Sequence, residues 1–161
     1  MRVAAQIDIA VPPELVWSLI ADPGRYLHFM SGVMRWEVVS EQDRGIGARY
    51  RALMRVGSAE VGGVVETVEY EEPRDIAWTS VTGIDQRGRW RIRAGEGGRT
   101  RLELRLSYGV AGSGAVGWIA EHLAAPMVRE NLRRSLAELK RQAEHEQARA
   151  KAAARRAAAR S

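Results

Sequence analysis

Two hydrophobic periods divide this chain, and the change between them constrains the fold more than any other feature. From about residue 34 to residue 108 apolar side chains recur at every second position; beyond Gly112-Ser113-Gly114 they recur about every 3.6. The first period is plainest in GRWRIRAGEGGRTRLELRLSYGV, Gly88 to Val110. Arg89, Arg91, Arg93, Arg101 and Arg105 share one phase there, and Trp90, Ile92, Leu102, Leu104, Leu106 and Tyr108 share the other. That alternation predicts two half-buried strands joined at Gly95 to Arg99, with the arginines on the solvated back of a sheet. In the second period Val116, Ile119, Leu123 and Met127 fall on one stripe, continued by Leu132, Leu136 and Leu139. This predicts a long amphipathic C-terminal helix, in which Pro126 must make a kink or mark the start of the main helix.

The hairpin around Gly57-Ser58 supplies a test of register. Pairing Gly47–Val56 with Ala59–Tyr70 sets Arg55 opposite Glu60 and Arg49 opposite Glu66. The same register sets Met54 against Val61, Ala52 against Gly63 and Tyr50 against Val65. Opposite charges meet on one face and apolar groups on the other. The phase weakens over Val68 to Glu72, which predicts a bulge. In the second hairpin, aligning Ile92 with Leu102 puts Arg91 opposite Glu103. The remaining elements are strands at Val3–Ala10, Met34–Glu41 and Ile76–Thr82, a helix opened by Pro12-Pro13, and a short helix over Gly24–Met30. The order is strand, two short helices, six strands and one long helix, an α+β arrangement of about seven antiparallel strands.

Charge first suggests a nucleic-acid partner and then locates it elsewhere than the sheet. The net charge is +5, but Lys140–Ser161 carries seven basic and two acidic residues, so 18 basic and 18 acidic residues remain in Met1–Leu139. The globular part is balanced, and no aromatic residues interleave with the outward arginines for base stacking. No Cys is present, which excludes disulfides, thiol catalysis and cysteine-held metal. No signal peptide and no membrane span is expected, and hence a cytoplasmic protein. Metal spacing, a phosphate loop and a nucleophile elbow are all missing, so neither metal nor cofactor is expected.

The element order and several motifs resemble the START-like, or SRPBCC, superfamily. The residues that carry the likeness are VPPELVWSLIADPGRYLHFMSGVMRWEVV (Val11–Val39), GIGARYRA (Gly45–Ala52), EEPRDIAWTS (Glu71–Ser80) and NLRRSLAELKRQAE (Asn131–Glu144). The nearest branch in kind is the polyketide cyclase/dehydrase and lipid-transport group, close to the coenzyme Q-binding proteins. The resemblance implies a helix-grip fold over residues 1–144, a curved sheet wrapped around the long helix; composition marks 145–161 as a basic Ala/Arg-rich tail, helical or disordered. It also implies an apolar or amphipathic ligand held between sheet and helix, and it does not choose between transport and catalysis.

Strand phase names the candidate lining. The inward residues include Tyr50, Ala52 and Met54, then Trp78 and Ser80, then Trp90 and Ile92, and last Leu104, Leu106 and Tyr108. Ile119, Leu123 and Met127 of the helix would close the space. Each residue alone reads as core filling, the default for an apolar inward face; together, in a helix-grip fold, they read as a pocket for a ring-bearing or acyl molecule. His28 is expected near the mouth and His122 on the long helix, neither with a carboxylate or nucleophile at a recognisable spacing. Three functions follow. One is a carrier or sensor of a small hydrophobic molecule such as a lipid, quinone or polyketide-like compound. The second is a polyketide cyclase/aromatase-like enzyme. The third is a module that meets a ribosome, RNA or an anionic membrane through the basic tail, which reads more simply as a solvated extension. Oligomeric state leaves no trace in the sequence.

Overall fold

In a computed structural model of the chain, residues 1–109 and 114–161 are described, with side chains described for 1–109 and 124–161. The expected stripe residues Val116, Ile119 and Leu123, the Gly112-Ser113 break and the His122 side chain lie outside that set. Seven strands form one antiparallel sheet in the order β1-β7-β6-β5-β4-β3-β2. They are β1 (Arg2–Ile9), β2 (Val33–Val38), β3 (Arg49–Val56), β4 (Ala59–Glu71), β5 (Asp75–Ser80), β6 (Asp85–Ala94) and β7 (Thr100–Gly109). Between β1 and β2 come α1 (Pro13–Ile20), a 3-10 turn at Pro23–Arg25 and α2 (Tyr26–Phe29); α3 (Gly114–Arg160) follows β7. This is the helix-grip fold.

Register follows the side-chain phases. Arg55 pairs with Glu60, Arg49 with Glu66 and Tyr50 with Val65, and the expected bulge falls between Thr67 and Glu69. Arg91 stands opposite Glu103 and Ile92 opposite Leu102. The bulge adds bend and twist to β4 and helps the sheet curve around α3. Between β3 and the β5–β6 turn the backbones close in so far that Gly62 and Gly63 have no room for a Cβ, which would overlap the Ala52 and Thr82 carbonyls.

The arginines of β6 and β7 lie on the outer face, as their phase predicts. Arg89, Arg91 and Arg93 converge on Asp75 of β5, at 3.5, 3.5 and 3.4 Å. Arg89 also reaches Glu69 at 2.7 Å, and Arg101 reaches Asp8 at 3.1 Å. The Asp75 side chain is only 12% exposed, so it neutralises three cations where water reaches poorly. Replacing it with alanine leaves them facing one another. Asp75→Ala is expected to cost about 1–3 kcal/mol in urea unfolding, more at low salt than at high.

The core occupies one end of the layered space. Leu132, Leu136, Leu139 and Ala143 form the buried stripe of α3, packed with Ile9, Leu19, Ile20, Ile92 and Leu102. Polar contacts hold the same helix down. Asn131 Nδ2 donates to the Arg55 carbonyl at 3.4 Å, Lys140 Nζ to the Asp8 carbonyl at 2.9 Å, and Gln142 Nε2 to the His28 carbonyl at 3.0 Å. Pro126 lies within the continuous α3, so it does not mark a helix start. Past the Arg25–Glu146 ion pair the helix runs on to Arg160 with almost every residue exposed. No helix among the described residues is long and apolar enough to cross a membrane.

Candidate functional site

The inner face of β6 shows how the space under α3 is divided. Trp90 and Ile92 are 0% and 1% exposed and belong to solid core. Two residues earlier the phase reaches Gly88, and then Gln86. A methyl group at Gly88 would overlap the Trp78 ring, so the glycine is what lets this indole lie flat across the strand. Beyond it the packing opens into a chamber of about 320 Å³ between sheet and helix. Ala52 and Met54 of β3, Val61 and Gly62 of β4, and Leu106 and Tyr108 of β7 form the sheet side. Ala124, Met127 and Val128 of α3 form the roof, and Met30, Val33 and Trp36 close one flank. The sheet contributes only a methyl group at Ala52, where a larger side chain would fill the space.

No Asp, Glu, Lys, Arg or His is among the described residues that line the chamber. The polar side-chain groups in its described wall belong to Gln86, Tyr108 and the two indoles. Such a wall favours apolar surface and penalises a buried charge by several kcal/mol, since no described lining residue offers a counter-ion. Among the described residues no group of His, Asp or Glu is placed to hold a metal ion.

Trp36 and Trp78 separate this chamber from a second space of about 20 Å³, enough for one water molecule. The wall of that space includes Tyr26, Tyr50, Thr67 and Tyr70. Trp36 is stacked between Tyr26 and Tyr50, with ring centroids 4.5 and 5.0 Å away. Tyr26 Oη donates to the Ile20 carbonyl at 2.8 Å and accepts from Trp90 Nε1 at 3.1 Å. Burial pushes the Tyr50 hydroxyl up to about 12 and raises Tyr26 as well. For a tyrosine, burial favours the neutral form, while the unfolded chain ionises near pH 10. The stabilisation is therefore complete below about pH 10 and disappears as pH rises towards about 12. Thermal midpoints measured across that window should fall steeply in the wild type and less steeply in Tyr50→Phe.

Of the residues expected at the pocket, Ala52, Met54, Trp78, Leu106, Tyr108 and Met127 come together around the chamber. Others do not. Trp90, Ile92 and Leu104 are sealed in core at the closed end of their strands. Tyr50 lines the small second space, its hydroxyl donated to the Asp43 carbonyl. Ser80 Oγ accepts from the Gln86 backbone N–H at 3.1 Å and so ties the β5–β6 turn. His28 is exposed and faces a groove with Arg141, Gln142 and His145, away from the chamber. Ile119 and Leu123 lie outside the described side chains. Sequence reading missed Met30, Val33, Trp36, Ile84 and Gln86. The signal for Gln86 was available, because it shares the inward phase of Trp90 and Ile92.

The outer face carries a larger groove of about 1090 Å³, open to solvent. Its wall includes Arg89, Arg105, Glu69 and Glu103, already joined in ion pairs, which makes it solvated sheet rather than a built site.

Comparison with known proteins agrees with this architecture. The sequence profile of the polyketide cyclase/dehydrase and lipid transport family matches residues 1–144, and the chain belongs to that family. TTHA0849 from Thermus thermophilus is similar in structure, with a TM-score of 0.77 at 24% identity over 91% of this chain and 99% of that one. The ZhuI aromatase/cyclase from Streptomyces sp. R1128 is similar too, with a TM-score of 0.75 at 22% identity over 89% of this chain and 93% of that one. The di-domain aromatase/cyclase BexL of the BE-7585A biosynthetic pathway matches at a TM-score of 0.64 and 18% identity, over 89% of this chain and 46% of that one. No curated protein matches the sequence.

Proposed function

We propose that the protein binds one small, uncharged, mainly apolar molecule in the chamber between sheet and α3, as a carrier or sensor. One observation carries this reading: an apolar space of about 320 Å³ has no charged side chain among the described residues of its wall. A volume in this range is typical of ligand pockets and far exceeds the voids of well-packed cores. Family membership supports the same reading. Titration with N-phenyl-1-naphthylamine, a neutral probe that brightens in apolar surroundings, tests it directly. One saturable site per chain is expected, and unsaturable or absent enhancement would contradict the reading.

A second reading, cyclisation or dehydration of a polyketide chain, draws support from the likeness to ZhuI and BexL. In that reading the chamber folds the substrate and Tyr108 is the one side chain of its described wall with a titratable proton. Turnover of a poly-β-keto substrate that survives Tyr108→Phe would remove this assignment.

A further inference from the structure

We infer that Gln86 sets the specificity of the chamber, selecting a neutral ligand that carries a hydroxyl or carbonyl oxygen over a bare hydrocarbon and over a carboxylate. The inference rests on the reading of the chamber as a ligand site and names the chemistry of its occupant. Gln86 projects inward from β6, half-buried, in a described wall otherwise made of Gly, Ala, Val, Leu, Ile and Met with two indoles and the Tyr108 phenol. Its backbone N–H is held by Ser80 Oγ, while its side-chain amide is hydrogen-bonded to no described residue. A carboxamide presents two N–H donors and one carbonyl acceptor. Left without partners in an apolar wall, it opposes burial of plain hydrocarbon beside it.

Its position narrows the geometry. Along β6 the inner face runs from Ile84 at the turn, through Gln86, to Gly88 under the Trp78 indole. Tyr108 of β7 is the direct cross-strand neighbour of Gln86. The polar contact therefore sits between two apolar stretches of wall, on the sheet side and facing the roof of α3. A ligand that satisfies it has an oxygen near the middle of an apolar body. A hydroxyl can both give to and accept from the amide, and a carbonyl can accept from it. A carboxylate would also accept, but its charge would then be buried where no described lining residue offers a counter-ion.

Three probes of one shape separate these cases: naphthalene, 2-naphthol and 2-naphthoate, measured by equilibrium dialysis at pH 7 with ultraviolet detection. In the wild type 2-naphthol binds more tightly than naphthalene, and 2-naphthoate binds at least about tenfold more weakly than 2-naphthol. In Gln86→Leu the ratio of naphthalene to 2-naphthol dissociation constants falls about fivefold, as expected for one hydrogen bond. Gln86→Met, which keeps the unbranched shape, gives the same fall if the leucine variant does not fold. The inference is overturned if naphthalene binds but 2-naphthoate equals 2-naphthol, or if the ratio is unchanged in a folded variant. If no probe binds at all, it is the ligand-site reading itself that fails.

Discussion

Ala52→Phe is expected to weaken binding of a neutral apolar probe at least about tenfold while leaving the melting temperature unchanged or raised. Ala52 lies on the inner face of β3, opposite Trp36 on one side and Gly63 on the other, and it lines the chamber. A benzyl group there enters space that is already empty, so it displaces no core side chain. Filling a cavity in this way commonly stabilises a protein by about 0.5–2 kcal/mol. Binding and stability then move in opposite directions. That pattern marks a space kept open for a ligand rather than a packing defect, and paired fluorescence titration and thermal unfolding read it directly. Loss of both together would mean that the ring had disrupted the sheet.

The second large effect belongs to the closed end of the molecule. Trp90→Ala should cost about 3–5 kcal/mol in guanidinium unfolding, against a total stability of about 5–15 kcal/mol for a domain. Trp90 is 0% exposed, and its Nε1 donates to Tyr26 Oη, which in turn donates to the Ile20 carbonyl. Phe29 meets its ring edge-to-face, with centroids 6.2 Å apart. One side chain thus joins β6 to the end of α1 and to α2. Trp90→Phe keeps much of the ring and loses the N–H, leaving Tyr26 Oη with its donated bond alone. Its cost should be closer to about 1–2 kcal/mol. Equal losses for the two variants would show that the hydrogen-bonded chain carries little of the docking of α1 and α2.

These two positions show what the sequence discloses and where it stops. Period-two alternation reports the face a side chain takes, and it placed both Ala52 and Trp90 inward. The cross-strand charge test at Gly57-Ser58 reproduced the register of β3 and β4 residue by residue. Alternation carries no information about depth along the strand. Trp90, Ile92 and Leu104 share their phase with Gln86, Leu106 and Tyr108, yet the first three are sealed in core and the others line the chamber. The difference depends on where α3 lies over each strand, a property of packing between elements far apart in the chain. Tyr50 was read inward, but its hydroxyl is taken by the Asp43 carbonyl in the loop before β3, a contact no period reports. His28 follows a turn motif that fixes the path of the chain, and the side chain it aims points away from the chamber.

Glycine carried part of the missing signal. Gly88 breaks an inward phase of large side chains two residues after Gln86, and Trp78 fills the gap from the neighbouring strand. A glycine in that phase opposite a tryptophan on the paired strand marks where a ring lies across the sheet. The space beyond such a ring is where an opening is expected, and in this fold the chamber begins there.

Native mass spectrometry of the protein purified from its own source cells reads the occupancy of the chamber. A non-covalent adduct of one neutral, predominantly apolar molecule per chain is expected on the wild type and is expected to be lost from Ala52→Phe. An adduct retained in full by that variant, or a wild-type protein that carries nothing and saturates with no neutral apolar compound, would contradict the reading of the chamber as a ligand site.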